Sequence, residues 1–191
     1  GVQKARGLVN GLSASKKFDI HYDEYGYQTN PPDPLLGVTT AQQSAWLQWS
    51  AYKAYGQPRV RTLIQYLWRD DPINTRVDAS KYGGWQSGLY FFDGNPKPAR
   101  KSFPNPFWVD LPRGRKTATV WGQVRPGGAA QVTVQKGSGS SFTTLKVVTT
   151  DAQGYFRFPT TVTRKTSFRF RYAGAAGKTV TSSTVTVAPA R

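Results

Sequence analysis

The sequence predicts an α/β part followed by an all-β part, the second an antiparallel β-sandwich. Two patterns and one imbalance lead there. Between residues 18 and 68 a strand-like run, a helical run of roughly 16 residues and a second strand-like run follow in order, the signature of a βαβ unit with parallel strands. Over 115–188, short alternating runs recur between Gly, Ser and Asp turns, the signature of a sandwich. Residues 1–107 carry 13 Lys/Arg against 8 Asp/Glu, a net of +5, and residues 108–191 carry 13 against 2, a net of +11; together they give the +16 of the 191-residue chain. Five of the six tryptophans also fall before residue 109. Two domains are therefore expected, residues 1–112 and residues 113–191, meeting near Leu111, Pro112, Arg113 and Gly114.

Val2, Ala5, Leu8, Val9 and Leu12 recur at helical spacing and predict an amphipathic helix over 2–14. From Phe18 to Glu24 the chain alternates with period two, so Phe18, Ile20, Tyr22 and Glu24 share one face, and Asp19, His21 and Asp23 the other. The prolines Pro31, Pro32 and Pro34 make the next stretch a loop. Thr39 with Gln42 fits a capping box; the helix it opens runs to about Tyr55, and Gly56 followed by Pro58 ends it. Val60 to Trp68 reads as an apolar-rich strand that closes on Arg69, Asp70, Asp71 and Pro72. Loop continues as far as Pro98, with a short helix expected over 98–103. In the second part strands are expected over 118–124, 131–136, 144–148, 155–158, 167–172 and 179–187.

Composition excludes several function classes. The chain has no cysteine, so neither a disulfide framework nor a Cys-based metal site is possible, and its single histidine argues against structural zinc. No apolar run reaches the ~18 residues of a membrane span, and no signal peptide is visible. The chain begins at Gly1 and contains no methionine, which reads as a processed, trimmed or truncated piece of a longer product. Neither a metal nor an organic cofactor is expected.

Glu24 is the single glutamate, placed at the end of a strand-like run and just before Tyr25 and Gly26. Barrel enzymes carry their catalytic groups at the carboxyl ends of strands. Taken alone, an acidic residue there is more often a solvated surface group. His21 lies on the opposite strand face and reads as structural. Asp70 and Asp71 read as a charged turn rather than a substitute acid. Trp46, Trp49, Tyr52 and Tyr55, at three-residue spacing on one helix, read as packing surface. Trp85, in a Gly-rich loop, is balanced between packing and stacking on a sugar ring.

Residues Tyr22 to Thr29 resemble the Thr-Glu-Tyr/Phe-Gly segment on the seventh strand of retaining glycoside hydrolases of the large (β/α)8 clan. Gln65 to Asp71 is similar to their eighth strand, and Trp85–Leu89 and Phe92–Ala99 resemble the closing loop and last helix of actinobacterial-type members. The resemblance covers roughly residues 17–107. It implies a partial (β/α)8 barrel, its last two strands and helices, in residues 1–112. It further implies a carbohydrate substrate, Glu24 as nucleophile, and Tyr25, Trp68 and Trp85 as substrate-binding residues. A nucleophilic carboxylate attacks the anomeric carbon while a second, about 5–5.5 Å away, protonates the leaving oxygen. In the family that second group is a glutamate on the fourth strand, which this chain starts too late to contain, so the isolated chain is expected to be inactive. Uncovered apolar groups such as Leu63, Tyr66 and Trp68 would make its first part poorly stable beside a self-sufficient sandwich.

The sandwich resembles bacterial immunoglobulin-like accessory domains of secreted hydrolases, which implies a secreted, extracellular or cell-wall-associated protein. Phe168, Phe170 and Tyr172 alternate with Arg169 and Arg171, and Arg157 and Lys146 add to the basic side. Nucleic-acid binders need exposed aromatics to stack on bases, whereas this alternation buries them and leaves a basic outer face. No specific nucleic-acid partner is therefore expected. The competing reading is a non-catalytic basic sandwich that binds anionic polysaccharide or wall polymer by counterion release, with Glu24 incidental.

Overall fold

Two parallel strands and the helix between them open the described part of the chain. The computed structural model describes residues 17–73 and 84–190, and the helix expected over 2–14 lies outside them. Strand β1 (Ile20–Tyr25) pairs in parallel with β4 (Val60–Gln65), Ile20 opposite Val60 and Tyr25 opposite Gln65, with register shifts after Ile20 and after Tyr22. Between them β2 (Thr29–Asn30) and β3 (Val38–Thr39) form a separate short parallel pair. Helix α1 (Thr40–Tyr55) then begins as the sequence indicates. Thr39 Oγ1 accepts from the Gln42 amide at 3.1 Å, and Gln42 Oε1 accepts from the Thr39 amide at 3.0 Å. These bonds satisfy amides that the first turn would otherwise leave unpaired. The helix stops at Gly56.

The expected partial (β/α)8 barrel, with its last two strands and helices, is not formed. The sheet of β1 and β4 has two strands and ends there, and the larger sheets are antiparallel. Among the described residues the α-helices are α1 and the five-residue α2 (Pro98–Ser102). A βαβ unit has the same local pattern wherever it occurs, whereas a closed barrel needs eight parallel strands. Here the described residues after β4 go into a loop held by single bridges of Tyr90 to Arg69 and to Pro96, and then into antiparallel strands. The chain is mostly β in several sheets. Parallel sheets are normally covered on both faces, yet Tyr22 and Ile64 stay 45% and 49% exposed.

The second half packs two antiparallel sheets face to face. One runs β5 (Phe107–Asp110), β6 (Thr117–Gln123), β9 (Tyr155–Thr161). The other is built from β7 (Gln131–Ser138), β8 (Ser141–Thr149), β10 (Thr166–Ala173), β11 (Thr179–Thr181) and β12 (Val185–Val187). Its order is β11-β10-β7-β8, with β12 also on β10. Strand alternation puts Val132, Val134, Phe168 and Phe170 of one sheet against Phe107, Val120 and Phe156 of the other. Phe107, Phe156 and Phe170 meet at ring-centroid distances of 5.2 to 6.5 Å. Burying one such side chain contributes roughly 1.5–3 kcal/mol. Strand β5 precedes residue 112 and completes the three-stranded sheet. Gly154, at φ +82°, closes the Asp151–Gly154 turn so tightly on the Val124 carbonyl that a Cβ would overlap it.

A second aromatic cluster joins the helix to the sandwich. Trp121 points outward from β6, yet it is fully buried under Tyr52 and Tyr55 of α1 and beside Tyr155, at centroid distances of 5.7, 5.7 and 6.0 Å. Tyr52 donates to Asp110 Oδ2 at 3.0 Å, and the Phe107 amide donates to Gln48 Oε1 at 3.3 Å. So Tyr52 and Tyr55 of the helical aromatic stripe pack on the sandwich and Trp46 packs on Tyr27 at 5.1 Å, while Trp46, Trp49 and Tyr55 stay 39%, 40% and 39% exposed. Trp121→Ala removes the ring on which both halves close and is expected to cost about 3–5 kcal/mol. Urea unfolding followed by far-UV circular dichroism checks this; a loss below ~1 kcal/mol would show that the joint carries little.

Candidate functional site

The carboxyl ends of β1 and β4 lie side by side, and close backbone approach decides which side chains they present there. Gly26 passes so near Tyr66 that a Cβ would overlap the Tyr66 carbonyl oxygen and sit 3.0 Å from Ser87 Cβ. The Tyr66 amide donates to the Tyr25 carbonyl at 2.8 Å, and Ser87 Oγ donates to the Tyr66 carbonyl. The result is a hollow of about 200 Å³ lined by Glu24, Tyr25, Gly26, Gln28, Tyr66, Trp85 and Ser87. Glu24 is exposed, and its carboxylate makes no hydrogen bond or ion pair among the described residues. Trp85 is 52% exposed and meets the Tyr66 ring edge-on, at 6.2 Å and 84°. An unpaired carboxylate beside an open indole face can act on or bind a polar ring that also has an apolar face.

A buried ion pair holds the loop that carries Trp85 and Ser87. Lys97 Nζ donates to Asp70 Oδ1 at 2.7 Å, and both side chains are almost wholly buried. The same Oδ1 accepts from the Gly88 amide at 2.8 Å, while Lys97 Nζ also donates to the Gln86 carbonyl at 2.9 Å. Gly88 is required here, since a Cβ would meet Asp70 N at 2.5 Å and Asp70 Oδ1 at 2.8 Å. Burial pushes the Asp70 carboxyl up and the Lys97 ammonium down, and their mutual hydrogen bond opposes both shifts. One residue further, Asp71 Oδ2 accepts from the Trp85 amide at 3.0 Å. Asp70 and Asp71, which read as a charged turn, are thus the anchors of the Trp85 loop. Nothing near Asp70 in sequence signals this, because its partner lies 27 residues on.

Of the residues singled out in the sequence, Glu24, Tyr25 and Trp85 line one hollow. Trp68 does not join them. It is 61% exposed and packs on Tyr90 at 5.2 Å, with the Arg100 guanidinium 5.4 Å from its ring. The Tyr25 hydroxyl is tied to the helix side, 2.5 Å from the Tyr27 hydroxyl and 2.6 Å from Ser50 Oγ. Burial pushes the Tyr25 hydroxyl up to about 12, against the Ser50 hydrogen bond and with the help of Tyr27. His21 bonds Thr62 Oγ1 at 3.1 Å across the strand pair. Gln28, Tyr66 and Ser87 are lining side chains that sequence reasoning missed. Gln28, two residues past Gly26, has no periodicity to mark it, and Tyr66 reads as uncovered apolar surface. No group of three or more His, Cys, Asp or Glu side chains placed to hold a metal occurs among the described residues, and no helix there is long and apolar enough to cross a membrane.

Comparison with known proteins gives little. No protein-family model matches the chain, and no curated protein matches it. The distant structural neighbours are glycoside hydrolases. One is the apo form of Bacteroides uniformis beta-glucuronidase 3, with TM-score 0.39 and 10% identity over 98% of this chain and 28% of that one. Another is a putative beta-galactosidase from Bacteroides fragilis, with TM-score 0.35 and 16% identity over 98% of this chain and 30% of that one. The chain therefore spans less than a third of either length. Likeness at this level fixes neither the fold nor an activity.

Two outcomes are expected. Asp70→Ala strands the buried Lys97 and is expected to cost about 3–5 kcal/mol, whereas the paired change Asp70→Leu with Lys97→Met costs less than either single change. Thermal unfolding of these variants checks this; equal losses would show that the charges are not coupled. The raised Tyr25 hydroxyl means that the folded chain keeps this proton above the ordinary value of 10.0, so its contribution is complete below pH 10 and is lost as pH rises toward about 12. Tyr52, Tyr155 and Tyr172 are pushed up by burial in the same direction. Unfolding measured at intervals above pH 9 is expected to show falling stability, with Tyr25→Phe falling less steeply than the parent.

Proposed function

We propose that Glu24 is the nucleophile of a retaining glycoside hydrolase and that the substrate sugar stacks on Trp85. The observation that carries this reading is the shared hollow, in which an unpaired carboxylate and an exposed indole meet at the carboxyl ends of two parallel strands. The residues around it are also the ones that resemble the glycoside hydrolase segments. In the reaction a Glu24 oxygen forms a bond to the anomeric carbon as the bond to the leaving oxygen breaks; water then releases the sugar from the ester. Glu24 is the one carboxylate among the described lining residues. The proton donor is therefore assigned to a group outside that lining, and the chain by itself is expected to turn over ordinary glycosides poorly.

With no second carboxyl among the described lining residues, a substrate that needs no proton donor is the direct probe. A 2,4-dinitrophenolate leaves without protonation, and a fluorine at C2 slows hydrolysis of the glycosyl ester. Incubation with 2,4-dinitrophenyl 2-deoxy-2-fluoro-hexosides of several configurations is expected to add one glycosyl mass, mapped by peptide sequencing to Glu24. Glu24→Gln is expected to abolish the label. A full panel that leaves Glu24 unlabelled, or a label that persists in Glu24→Gln, would remove the nucleophile assignment.

A further inference from the structure

The sandwich has a basic recess of its own, at the end where the β7–β8 hairpin meets the turn from β9 to β10. It is an open recess of about 390 Å³, lined by the exposed Lys136, Arg164 and Lys165 together with Ser138, Thr143, Thr161, Thr163 and Thr166. The lining holds three cations and no carboxylate. Elsewhere on the sandwich several cations lie over rings: Arg169 is 3.9 Å from the Phe142 centroid and Lys146 is 5.0 Å from that of Phe158. Lys136, Arg164 and Lys165 have neither a ring beneath them nor an acidic partner among the described residues. The nearest acid in sequence, Asp151, is at the other end of β8 and is used by the amides of Gln153 and Tyr155 at 3.0 and 2.8 Å. A nine-residue strand separates it from the recess by roughly 25 Å, at about 3.3 Å per residue.

We infer that this recess binds a sulfate or phosphate ester group. Like charges gathered in one concavity repel each other, and a bound oxyanion reverses the sign of that interaction. Both esters present three or more acceptor oxygens to the ammonium and guanidinium donors around the recess, where a carboxylate presents two. The frame is partly fixed. Thr166 Oγ1 donates to the Arg164 carbonyl at 2.8 Å, and Lys136 pairs with Thr143 across the hairpin and with Phe168 of β10. The site is independent of Glu24, so it stands or falls apart from the hydrolase reading.

The test uses the full chain and three immobilised probes: a heparin-derived sulfated oligosaccharide, a poly(glycerol phosphate) polymer, and polygalacturonate as the carboxylate control. One triple variant removes the recess charges, Lys136→Gln, Arg164→Gln and Lys165→Gln. A second removes three charges outside it, Arg157→Gln, Arg171→Gln and Lys178→Gln, and so leaves the same net charge. The recess variant is expected to lose about tenfold or more in affinity for the sulfated or the phosphate probe, and its salt dependence flattens by roughly 0.7–0.9 per lost contact. The second variant is expected to stay within about twofold to threefold of the parent. Whichever probe shows that difference names the ester. As an independent readout, the same probe is expected to protect Lys136 and Lys165 from acetylation by an N-hydroxysuccinimide ester. Equal losses in the two variants, stronger retention on polygalacturonate, or no binding by the parent would overturn the site.

Discussion

Lys97 and Asp70 are buried against each other at 2.7 Å, and the geometry of the candidate site depends on that contact. Two opposite charges taken out of water depend on each other and on further hydrogen bonds. Asp70 takes Lys97 and the Gly88 amide, both on Oδ1, while its Oδ2 is buried without a partner among the described residues; Lys97 takes Asp70 and the Gln86 carbonyl. Both ends of this small network therefore close on the Trp85–Leu89 loop. Main-chain bonds from Asp70 to Tyr90 and from Lys97 to Leu89, each 3.0 Å, clamp its far side. Trp85 and Ser87 stand at the mouth of the β1–β4 cleft because this loop has no other place to go. A loop built this way holds an aromatic side chain at a site without any regular element beneath it.

The sandwich and the βαβ unit depend on different forces. The sandwich is stabilised by strand alternation, with valines and phenylalanines facing inward from both sheets. The βαβ unit has a smaller core, Leu47, Leu89 and Ala99 with tyrosines around them. It gains cover by laying Tyr52 and Tyr55 on Trp121 of the neighbouring sheet. Helix surface that the two strands leave uncovered is thus packed on the sandwich. A further aromatic hollow, lined by Tyr27, Trp46, Trp49 and Trp108, stays open.

The fold is legible in the sequence wherever the physics is local. The capping box of Thr39 and Gln42 and the stop at Gly56 mark α1 because the groups that satisfy helix ends are near neighbours. The alternation through Phe168 and Arg171 marks β10 for the same reason. The barrel expectation fails because one strand–helix–strand unit looks alike in a barrel and outside it, and the path of the chain beyond β4 is decided by contacts far along the sequence. Asp70 is the plainest case: its neighbours in sequence, Arg69 and Asp71, suggest a solvated turn, and only Lys97 makes it a buried anchor. Trp68 and Trp85 look equivalent as sugar platforms in the sequence. Packing separates them, Trp68 going to Tyr90 and Arg100 and Trp85 to the Glu24 hollow.

The most direct measurement is a nitrogen-15 spectrum of the six tryptophan indole groups during titration with neutral oligosaccharides. If the sugar stacks on Trp85 beside Glu24, the Trp85 indole shifts, while those of Trp68 and of the buried Trp121 do not. Shifts confined to Trp46, Trp49 and Trp108 would place the sugar in the other aromatic hollow and contradict the assignment of Glu24 to a carbohydrate site.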